Sequence, residues 1–368
     1  MIYLDSAATT LQKPPAVIEA MTYAIENCAS VGRSGHQAAM LASEIVFDCR
    51  QTAADFFEAE PDQVVFTFNA THGLNIAIRT LIHPGDRVVI SGFEHNAVYR
   101  PLTHLGAEIV IAGRTLFSRE QVLRSFSDAI NEQTSAVICT HVSNVFGFVL
   151  PVEEIAALCY KRGIPFILDA SQSAGVLPVS LKKLHAAFIA MPGHKGLYGP
   201  QGTGLLLCGE TPVPLLQGGT GSNSSDPFMP AFLPDAAEAG THNVPGIAGL
   251  LAGLRYLRER TLTKVLRKER MLLCILKTLL TDIPDVTLFS GNEEDQTGVL
   301  SFLWEGEDCE QTALYLAQQG IAVRAGLHCS PLAHQSAGTL ESGTVRVSVS
   351  DFSTKEEIEC FCRCLIER

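Results

Sequence analysis

The sequence predicts an α/β fold in which a large domain is built on a mostly parallel sheet of seven strands and is followed by a smaller α+β domain. Short runs rich in β-branched residues recur with helical stretches between them, which is typical of helices packed on both faces of a parallel sheet. Beyond residue 244 the pattern changes to long helical periodicity and then to shorter runs. Ligands of such sheets bind beyond the carboxyl ends of the strands, so the loops after the runs are where functional residues are expected.

Seven apolar runs form the predicted large sheet. They are Gln63–Phe68, Arg87–Gly92, Glu108–Ala112, Ser135–Thr140, Pro165–Asp169, Ala186–Met191 and Gly204–Cys208. Each run is short enough for a strand and is separated from the next by helical or turn-forming sequence.

The last third of the chain predicts a long helical region followed by a small α+β unit. Apolar residues recur at helical intervals from Val244 to Asp282, and the expected break lies at Thr263 and nearby polar residues. After it come strand-like Gly298–Leu303, a helix around Glu310–Gln319, strand-like Ile321–Arg324, strand-like Thr344–Val349 and a last helix opened by a capping-box pattern at Ser353 to Glu356.

Composition narrows the class of protein. The 368 residues are 46% hydrophobic and 18% charged, which suits a well-packed enzyme, and the net charge of −12 argues against a nucleic-acid surface. No secretory signal or bilayer-length apolar run is recognisable, so we expect no membrane association. The eleven cysteines lie mostly in apolar segments, as reduced thiols do, and we expect a cytoplasmic protein. Cys360, Cys362 and Cys364 lack zinc-site spacing, so we expect no metal.

Two residues beyond the ends of predicted strands indicate a cofactor. Lys195 follows the run that begins at Ala186, and Asp169 ends an earlier run. A lysine amine can form a Schiff base with an aldehyde cofactor, and an aspartate can hold a pyridinium nitrogen protonated. Together they suggest pyridoxal phosphate (PLP), although taken alone Lys195 also fits a solvated loop lysine.

The motifs around these residues resemble the class V aminotransferase superfamily and, within it, the cysteine desulfurases. The matching segments are Tyr3–Thr10, Ile167–Gly175, His194–Lys195 and the strand around Arg346, so the resemblance covers nearly the whole chain. It implies the aspartate-aminotransferase-like fold of PLP-dependent enzymes (fold type I), bound PLP and a homodimer. Because the N-terminal segment of that family packs with its second domain, we expect residues 15–245 to form the large domain and residues 1–14 with 246–368 the small one.

The segment containing Thr71 and His72 is the predicted phosphate site. It follows a strand and opens a helix, where backbone N–H groups and the helix dipole favour an anion, although an ordinary Thr N-cap explains the pattern equally well. The resemblance implies that both residues bind the cofactor, that His194 contacts its phosphate, and that Thr241 reaches the phosphate bound by the partner subunit. The alternative for Thr241 is a loop cap.

Three further residues receive roles from the resemblance. His95 would stack on the cofactor ring and move protons, for which an imidazole is well suited near neutral pH. Gln172 would donate to the phenolic oxygen of the ring, and Asn144 would contact the substrate or the same oxygen. The alternatives are a surface histidine and, for the two amides, structural hydrogen bonds within loops.

Arg346 and Cys329 are the predicted substrate residues. Strand alternation places Arg346 on the face opposite Val345 and Val347, and the resemblance implies that its guanidinium binds the substrate carboxylate rather than lying at the surface. Cys329 would attack the sulfur of the substrate, with His328 or Arg324 raising its thiolate fraction, whereas the alternative is one more packed cysteine.

The function implied is a PLP-dependent cysteine desulfurase that converts L-cysteine to L-alanine and holds the sulfur as a persulfide for an acceptor protein, in iron–sulfur cluster assembly or another pathway. L-Selenocysteine is a possible substrate. The alternatives are a selenocysteine lyase, a class V aminotransferase without sulfur transfer, and a non-catalytic scaffold. Two residues depart from the family: Pro192 replaces a serine that serves many relatives as a phosphate contact, and Leu327 replaces the first of two histidines in one desulfurase group.

Overall fold

The structure is a computed structural model that describes residues 1–32 and 34–367. Its strands are β1 (Ile2–Tyr3), β2 (Val64–Thr67), β3 (Arg87–Ser91), β4 (Glu108–Ala112), β5 (Thr134–Thr140), β6 (Phe166–Asp169), β7 (Phe188–Pro192), β8 (Gly204–Cys208), β9 (Val286–Phe289), β10 (Val299–Trp304), β11 (Ile321–Ala322), β12 (Arg324–Gly326) and β13 (Thr344–Ser348). Its helices are α1 (Pro15–Asn27), α2 (Gln37–Phe57), α3 (Ala70–Leu81), α4 (Asn96–Leu105), α5 (Arg119–Ala129), α6 (Val152–Arg162), α7 (Leu181–Leu184), α8 (Val244–Arg260), α9 (Leu262–Thr281), α10 (Cys309–Gln318), α11 (Pro331–Ala337) and α12 (Lys355–Ile366).

The predicted large sheet is confirmed. Seven strands pair in the order β2-β8-β7-β6-β5-β3-β4, and the strands from β7 to β4 in that order are parallel. Only β8 runs against its two neighbours. Observed strand ends differ from the predicted ones by at most two residues.

Both faces of this sheet are buried, as expected for strands covered by helices. Along β5, Val137 and Cys139 belong to one hydrophobic core, whereas Ala136 and Ile138 belong to the core on the opposite face. Because successive side chains of a strand point to opposite faces, one apolar run supplies both cores. The carboxyl ends of the parallel strands are therefore fixed from two sides.

The C-terminal part forms a second, antiparallel sheet in the order β12-β13-β10-β9, with a core of its own. The N-terminal strand β1 pairs with β11 in a separate two-stranded sheet. The predicted strand Ile321–Arg324 is divided, because β11 and β12 belong to different sheets, and β9 was not predicted.

The break in the long helical region falls at Thr261, whose φ is +68° and which is one of the polar residues near Thr263. One detail of the predicted last helix is wrong by one residue. The capping box of α12 uses Thr354 and Glu357, one residue beyond the predicted pair. None of the helices in the described ranges combines the length and apolar character that crossing a bilayer requires.

The division into residues 15–245 and residues 1–14 with 246–368 stays a prediction. Helix α8 packs on α1 and α2, and its leucines lie in the core of the large sheet. Residues of α9 from Leu272 onward lie in the C-terminal core instead. We propose that the second domain begins at α9 rather than at residue 246.

Candidate active site

A cleft of about 300 Å³ lies at the carboxyl ends of the parallel strands and reaches the second sheet. Its lining includes most of the predicted site residues: Thr71, His95, Asn144, Asp169, Gln172, His194, Lys195, Cys329 and Arg346. Arg324, His328 and Pro192 line it as well. Loops that are far apart in the sequence therefore meet at one place, as the topology of an open α/β sheet requires.

Lys195 and Asp169 are held by two turns in backbone contact. Asp169 ends β6 and pairs in register with Ala190 of β7, whose continuation leads to Lys195. A Cβ added at Gly175 would lie 2.2 Å from the Gly196 carbonyl oxygen, and one added at Gly196 would lie 2.4 Å from that of Ala174. Side chains are excluded at both positions, so the turn after Asp169 and the turn after Lys195 pack as one unit.

Burial controls the chemistry of this pair. Desolvation lowers the pKa of Lys195 to about 8, although the nearby Asp169 carboxylate acts in the opposite direction. The Asp169 carboxyl is 2% exposed, and its Oδ1 accepts hydrogen bonds from the backbone N–H of Ser171 at 2.9 Å and from the Ser171 hydroxyl. These bonds leave the second carboxylate oxygen for a ligand.

His95 is the N-cap of α4 and is held in one tautomer. Its Nδ1 accepts a hydrogen bond from the N–H of Ala97 at 3.0 Å, so the proton of the neutral ring lies on Nε2. Burial, and to a smaller extent the positive charge of Lys195, lowers the pKa of His95 to about 4. The ring is therefore neutral near pH 7.

The N-terminus of α3 offers free backbone donors to the cleft. Asn69 is the N-cap and accepts from the N–H of His72 at 2.9 Å, so the N-cap interpretation of Thr71 is wrong. Within the described part of the chain, the N–H groups of Ala70 and Thr71 have no acceptor. Together with the helix dipole, these two donors form a place for an anion.

His72 and Thr241 lie outside this cleft. They line a narrow neighbouring pocket of about 60 Å³, and the His72 ring stacks on Phe68 with centroids 4.6 Å apart. The same pocket contains Glu238, whose carboxylate pairs with Arg50 at 2.8 Å. Within one chain the structure does not bring His72 or Thr241 to Lys195, and their roles stay predictions.

Gln172 and His194 anchor the N-terminal segment to the cleft. Gln172 Nε2 donates to the carbonyl oxygen of Ala7 at 2.9 Å. His194 Nδ1 lies 3.0 Å from the Thr9 hydroxyl, and burial lowers the pKa of His194 to about 4. Both side chains line the cleft, but part of their hydrogen-bonding capacity already serves the segment after β1.

Arg346 is a buried cation with an unpaired donor. Val345 and Val347 lie in the C-terminal core and Arg346 lines the cleft, as the strand alternation predicts. Its side chain is 1% exposed, Nη2 donates to Asp5 Oδ1 at 2.6 Å, and Nη1 donates to the Asn144 carbonyl oxygen at 2.9 Å. Its Nε is buried and has no partner among the residues that the structure describes, and a ligand carboxylate would supply one.

Cys329 lies on a strained loop and is exposed. His328 and Cys329 have φ values of +52° and +58°, a conformation that costs non-glycine residues about 1–3 kcal/mol each. Burial and the charge of Arg346 lower the pKa of His328 to about 2, so its ring is neutral. A neutral His328 has no positive charge with which to stabilise a thiolate, so Arg324 is the cation of the predicted pair, and the stabilisation itself stays a prediction.

Several functional contacts were missed by the sequence analysis. Asp5 pairs with Arg346, Ser171 bonds Asp169, and Ser330 bonds Asn144. Asp5 lies within a motif that carried the resemblance, but nothing in the sequence links it to a strand 341 positions away. Asn69 had a recognisable signal, since asparagine directly before a helical run is a favoured N-cap.

Comparison with known proteins identifies the class. The model of the family described as aminotransferase class-V matches residues 2–361, and the chain belongs to this family. Its similarity to individual members then narrows the relationship to proteins named cysteine desulfurases.

A probable cysteine desulfurase of Methanothermobacter thermautotrophicus is 33% identical, over 97% of this chain and 92% of the relative. One of Mycolicibacterium paratuberculosis is 34% identical over 99% of this chain, which spans only 54% of that relative's length. The apo structure of a cysteine desulfurase from Thermococcus onnurineus superposes with a TM-score of 0.92 at 33% identity, covering 100% of this chain and 94% of that one. The predicted fold type I of PLP-dependent enzymes is thereby confirmed.

Proposed function

We propose that this protein is a PLP-dependent cysteine desulfurase, which converts L-cysteine to L-alanine and holds the sulfur as a persulfide on Cys329. One observation carries the proposal: of the cysteines in the described ranges, Cys329 alone lines the cleft that contains Lys195. A transaminase needs only the lysine of this pair, whereas a desulfurase needs both the lysine and a nucleophilic thiol in the same cleft.

The residues present fit PLP. Lys195 would hold its aldehyde carbon, Asp169 its ring nitrogen, and the free N–H groups of Ala70 and Thr71 its phosphate. When bound, PLP supplies an electron sink that stabilises negative charge on the α-carbon of an amino acid. Pro192 lines the cleft without a hydroxyl, so backbone donors carry more of the phosphate binding.

The protein residues orient the substrate and move its protons. Arg346 binds the carboxylate through the unpaired Nε, and Lys195, with a pKa of about 8, is suited to take the α-proton near neutral pH. His95 moves the thiol proton. The unprotonated nitrogen of the neutral ring is Nδ1, which accepts the hydrogen bond from the N–H of Ala97. That hydrogen bond must break before Nδ1 can accept a proton.

The sulfur step balances without an external oxidant. The Cys329 sulfur attacks the substrate sulfur, an S–S bond forms, and the bond between the substrate sulfur and its β-carbon breaks. The Cys329 sulfur and the substrate sulfur together lose two electrons, and the β-carbon gains those two electrons and a proton to become the methyl group of alanine. The overall change is L-cysteine plus a thiol giving L-alanine plus a persulfide.

The test is to purify the protein, record its visible spectrum, and measure alanine and sulfide released from L-cysteine with and without a reductant. A PLP absorbance band with equal molar yields of alanine and sulfide supports the proposal. Transamination of a keto acid without alanine release from cysteine contradicts it. Rates with L-selenocysteine measure the preference between the two substrates.

We further propose a cytoplasmic homodimer that passes sulfur to an acceptor protein. Exposed Phe68, beside the pocket containing Thr241, is consistent with a surface covered by a second copy. Sedimentation at micromolar concentration measures the oligomeric state, and Thr241→Ala should weaken PLP binding if Thr241 reaches the partner's phosphate. A monomer that binds PLP fully would contradict the dimer.

A further inference from the structure

We propose that Asn144 is a positioning residue that clamps the Cys329 loop, defined as residues 327–331. The proposal rests on the proposed function, in which Cys329 must reach the substrate sulfur. It goes beyond that function by assigning the placement of the thiol to a residue on the other side of the cleft.

The amide of Asn144 bridges the two neighbours of Cys329. Nδ2 donates to the carbonyl oxygen of His328 at 2.8 Å, and the Ser330 hydroxyl donates to Oδ1 at 2.6 Å. Asparagine suits this task because one planar group carries both a donor and an acceptor. Each polar atom of the amide uses one of its two hydrogen-bonding positions on the loop, so the clamp is compatible with a ligand at the second position.

The loop needs such support because its backbone is in an unfavourable conformation. His328 and Cys329 both have positive φ values, which persist only where the surroundings impose them. One further bond from across the cleft holds the loop, from the N–H of Asn96 to the Cys329 carbonyl oxygen at 2.8 Å. Asn144 is thus the one side chain that ties both flanks of Cys329, as far as the described residues show.

The clamp is continuous with the predicted carboxylate site. Arg346 Nη1 donates to the backbone carbonyl oxygen of Asn144 at 2.9 Å. The residue that would bind the substrate carboxylate and the loop that carries the thiol are therefore held by one residue. This arrangement fixes the distance between the guanidinium of Arg346 and the loop that carries the Cys329 thiol.

The experiment uses hydrogen exchange of the PLP-bound enzyme without substrate, comparing wild type with Asn144→Ala and Ser330→Ala. Exchange at the N–H groups of Ser330 and Asn96, whose acceptors lie on the loop, should accelerate about fivefold or more, the effect of one lost hydrogen bond. Ser336→Ala is the matched control, because it removes a hydroxyl bond of 2.8 Å between α11 and Gly92 but leaves the loop contacts intact.

Kinetics of Ser330→Ala tests the clamp with the Asn144 amide intact. We expect this variant to lower kcat for alanine release with KM near the wild-type value. Unchanged loop exchange in Asn144→Ala, or a raised KM with wild-type kcat in Ser330→Ala, overturns the proposal. If Asn144→Ala does not fold, Ser330→Ala gives the same comparison with Asn144 intact. Failure of the wild type to release alanine from L-cysteine would refute the desulfurase function, whereas the exchange data would still test the clamp.

Discussion

The cleft has two sides that are built differently. Asp169 and Lys195 are placed by backbone, since β6 and β7 pair in register and the following turns pack glycine against backbone. Cys329 is placed by side chains, since Asn144 holds its neighbours and His328 stacks on His334 with ring centroids 5.5 Å apart. The first side is rigid because a strand ladder and two cores fix it, whereas the second depends on a few hydrogen bonds. The rigid side holds the proposed cofactor residues and the softer side holds the proposed nucleophile.

Lys195→Ala is the strongest test of the rigid side. Removing the amine should lower alanine release by at least about 10⁴-fold while thermal stability stays near that of the wild type, because little packed surface is lost. Activity and melting temperature are measured together. Lys183→Ala, whose side chain is 72% exposed, is the control and should change neither. Wild-type turnover by Lys195→Ala would sink the cofactor assignment.

Cys329→Ala tests whether the thiol on the softer side of the cleft acts in a step separate from the reaction of the cofactor with substrate. Alanine release from L-cysteine should fall by at least about 10³-fold, while the visible spectrum should still respond to L-cysteine because the cofactor residues are intact. The persulfide found by mass spectrometry on the wild-type peptide should be absent. Cys274→Ala removes the other exposed thiol and should behave as wild type. A persulfide on a different cysteine would refute the mechanism even with the PLP site correct.

Asp169→Asn tests, on the rigid side of the cleft, whether the negative charge of Asp169 serves catalysis rather than cofactor retention. The amide oxygen can keep the bonds from Ser171, so the cofactor should stay bound, but the lost negative charge should lower kcat by about 10²-fold. Two quantities are measured: kcat, and the amount of bound cofactor, which is quantified after alkaline release. Asp48→Asn, at a half-exposed ion pair with Arg255, is the control. Full activity with full occupancy would show that Asp169 is structural.

Acid should loosen the Cys329 side first. Burial lowers the pKa of His328 to about 2 and of His334 to about 4, whereas an opened loop would have histidines near 6.5. The opened loop then binds more protons, so closure is fully favourable above pH 6.5 and weakens as pH falls below it. Between pH 7.5 and 5.5 the loop amides should exchange about 100-fold faster after correction for intrinsic rates, about tenfold for each of the two histidines. Amides of β6 serve as the reference. Equal changes in exchange rate at β6 and at the loop would contradict the idea that acid loosens the Cys329 side first.

The difference between the two sides also explains what the sequence could predict. Alternating apolar runs and their ends identify β6 and β7, so Asp169 and Lys195 follow from backbone periodicity, and the resemblance then supplies their roles. The pairing of Arg346 with Asp5, or of Asn144 with Ser330, depends on segments that meet only after folding. Short polar side chains give no periodic signal, so those contacts were not predicted.

Electrostatic roles were predicted less well than positions. His328 was expected as one of two residues that could raise the thiolate fraction of Cys329, but its charge depends on burial and on Arg346, which no local pattern reports. The predicted strand Ile321–Arg324 is divided in the structure for a related reason. Its first part, β11, pairs with β1 and its second part, β12, pairs with β13, and these pairings depend on distant segments.

The contact between Gly175 and Gly196 bears on how this enzyme could be re-engineered. With no room for a side chain at either position, the two turns form a module that must be kept or transplanted whole. Combinatorial libraries that vary these turns would consist mostly of molecules unable to bring Lys195 to its place.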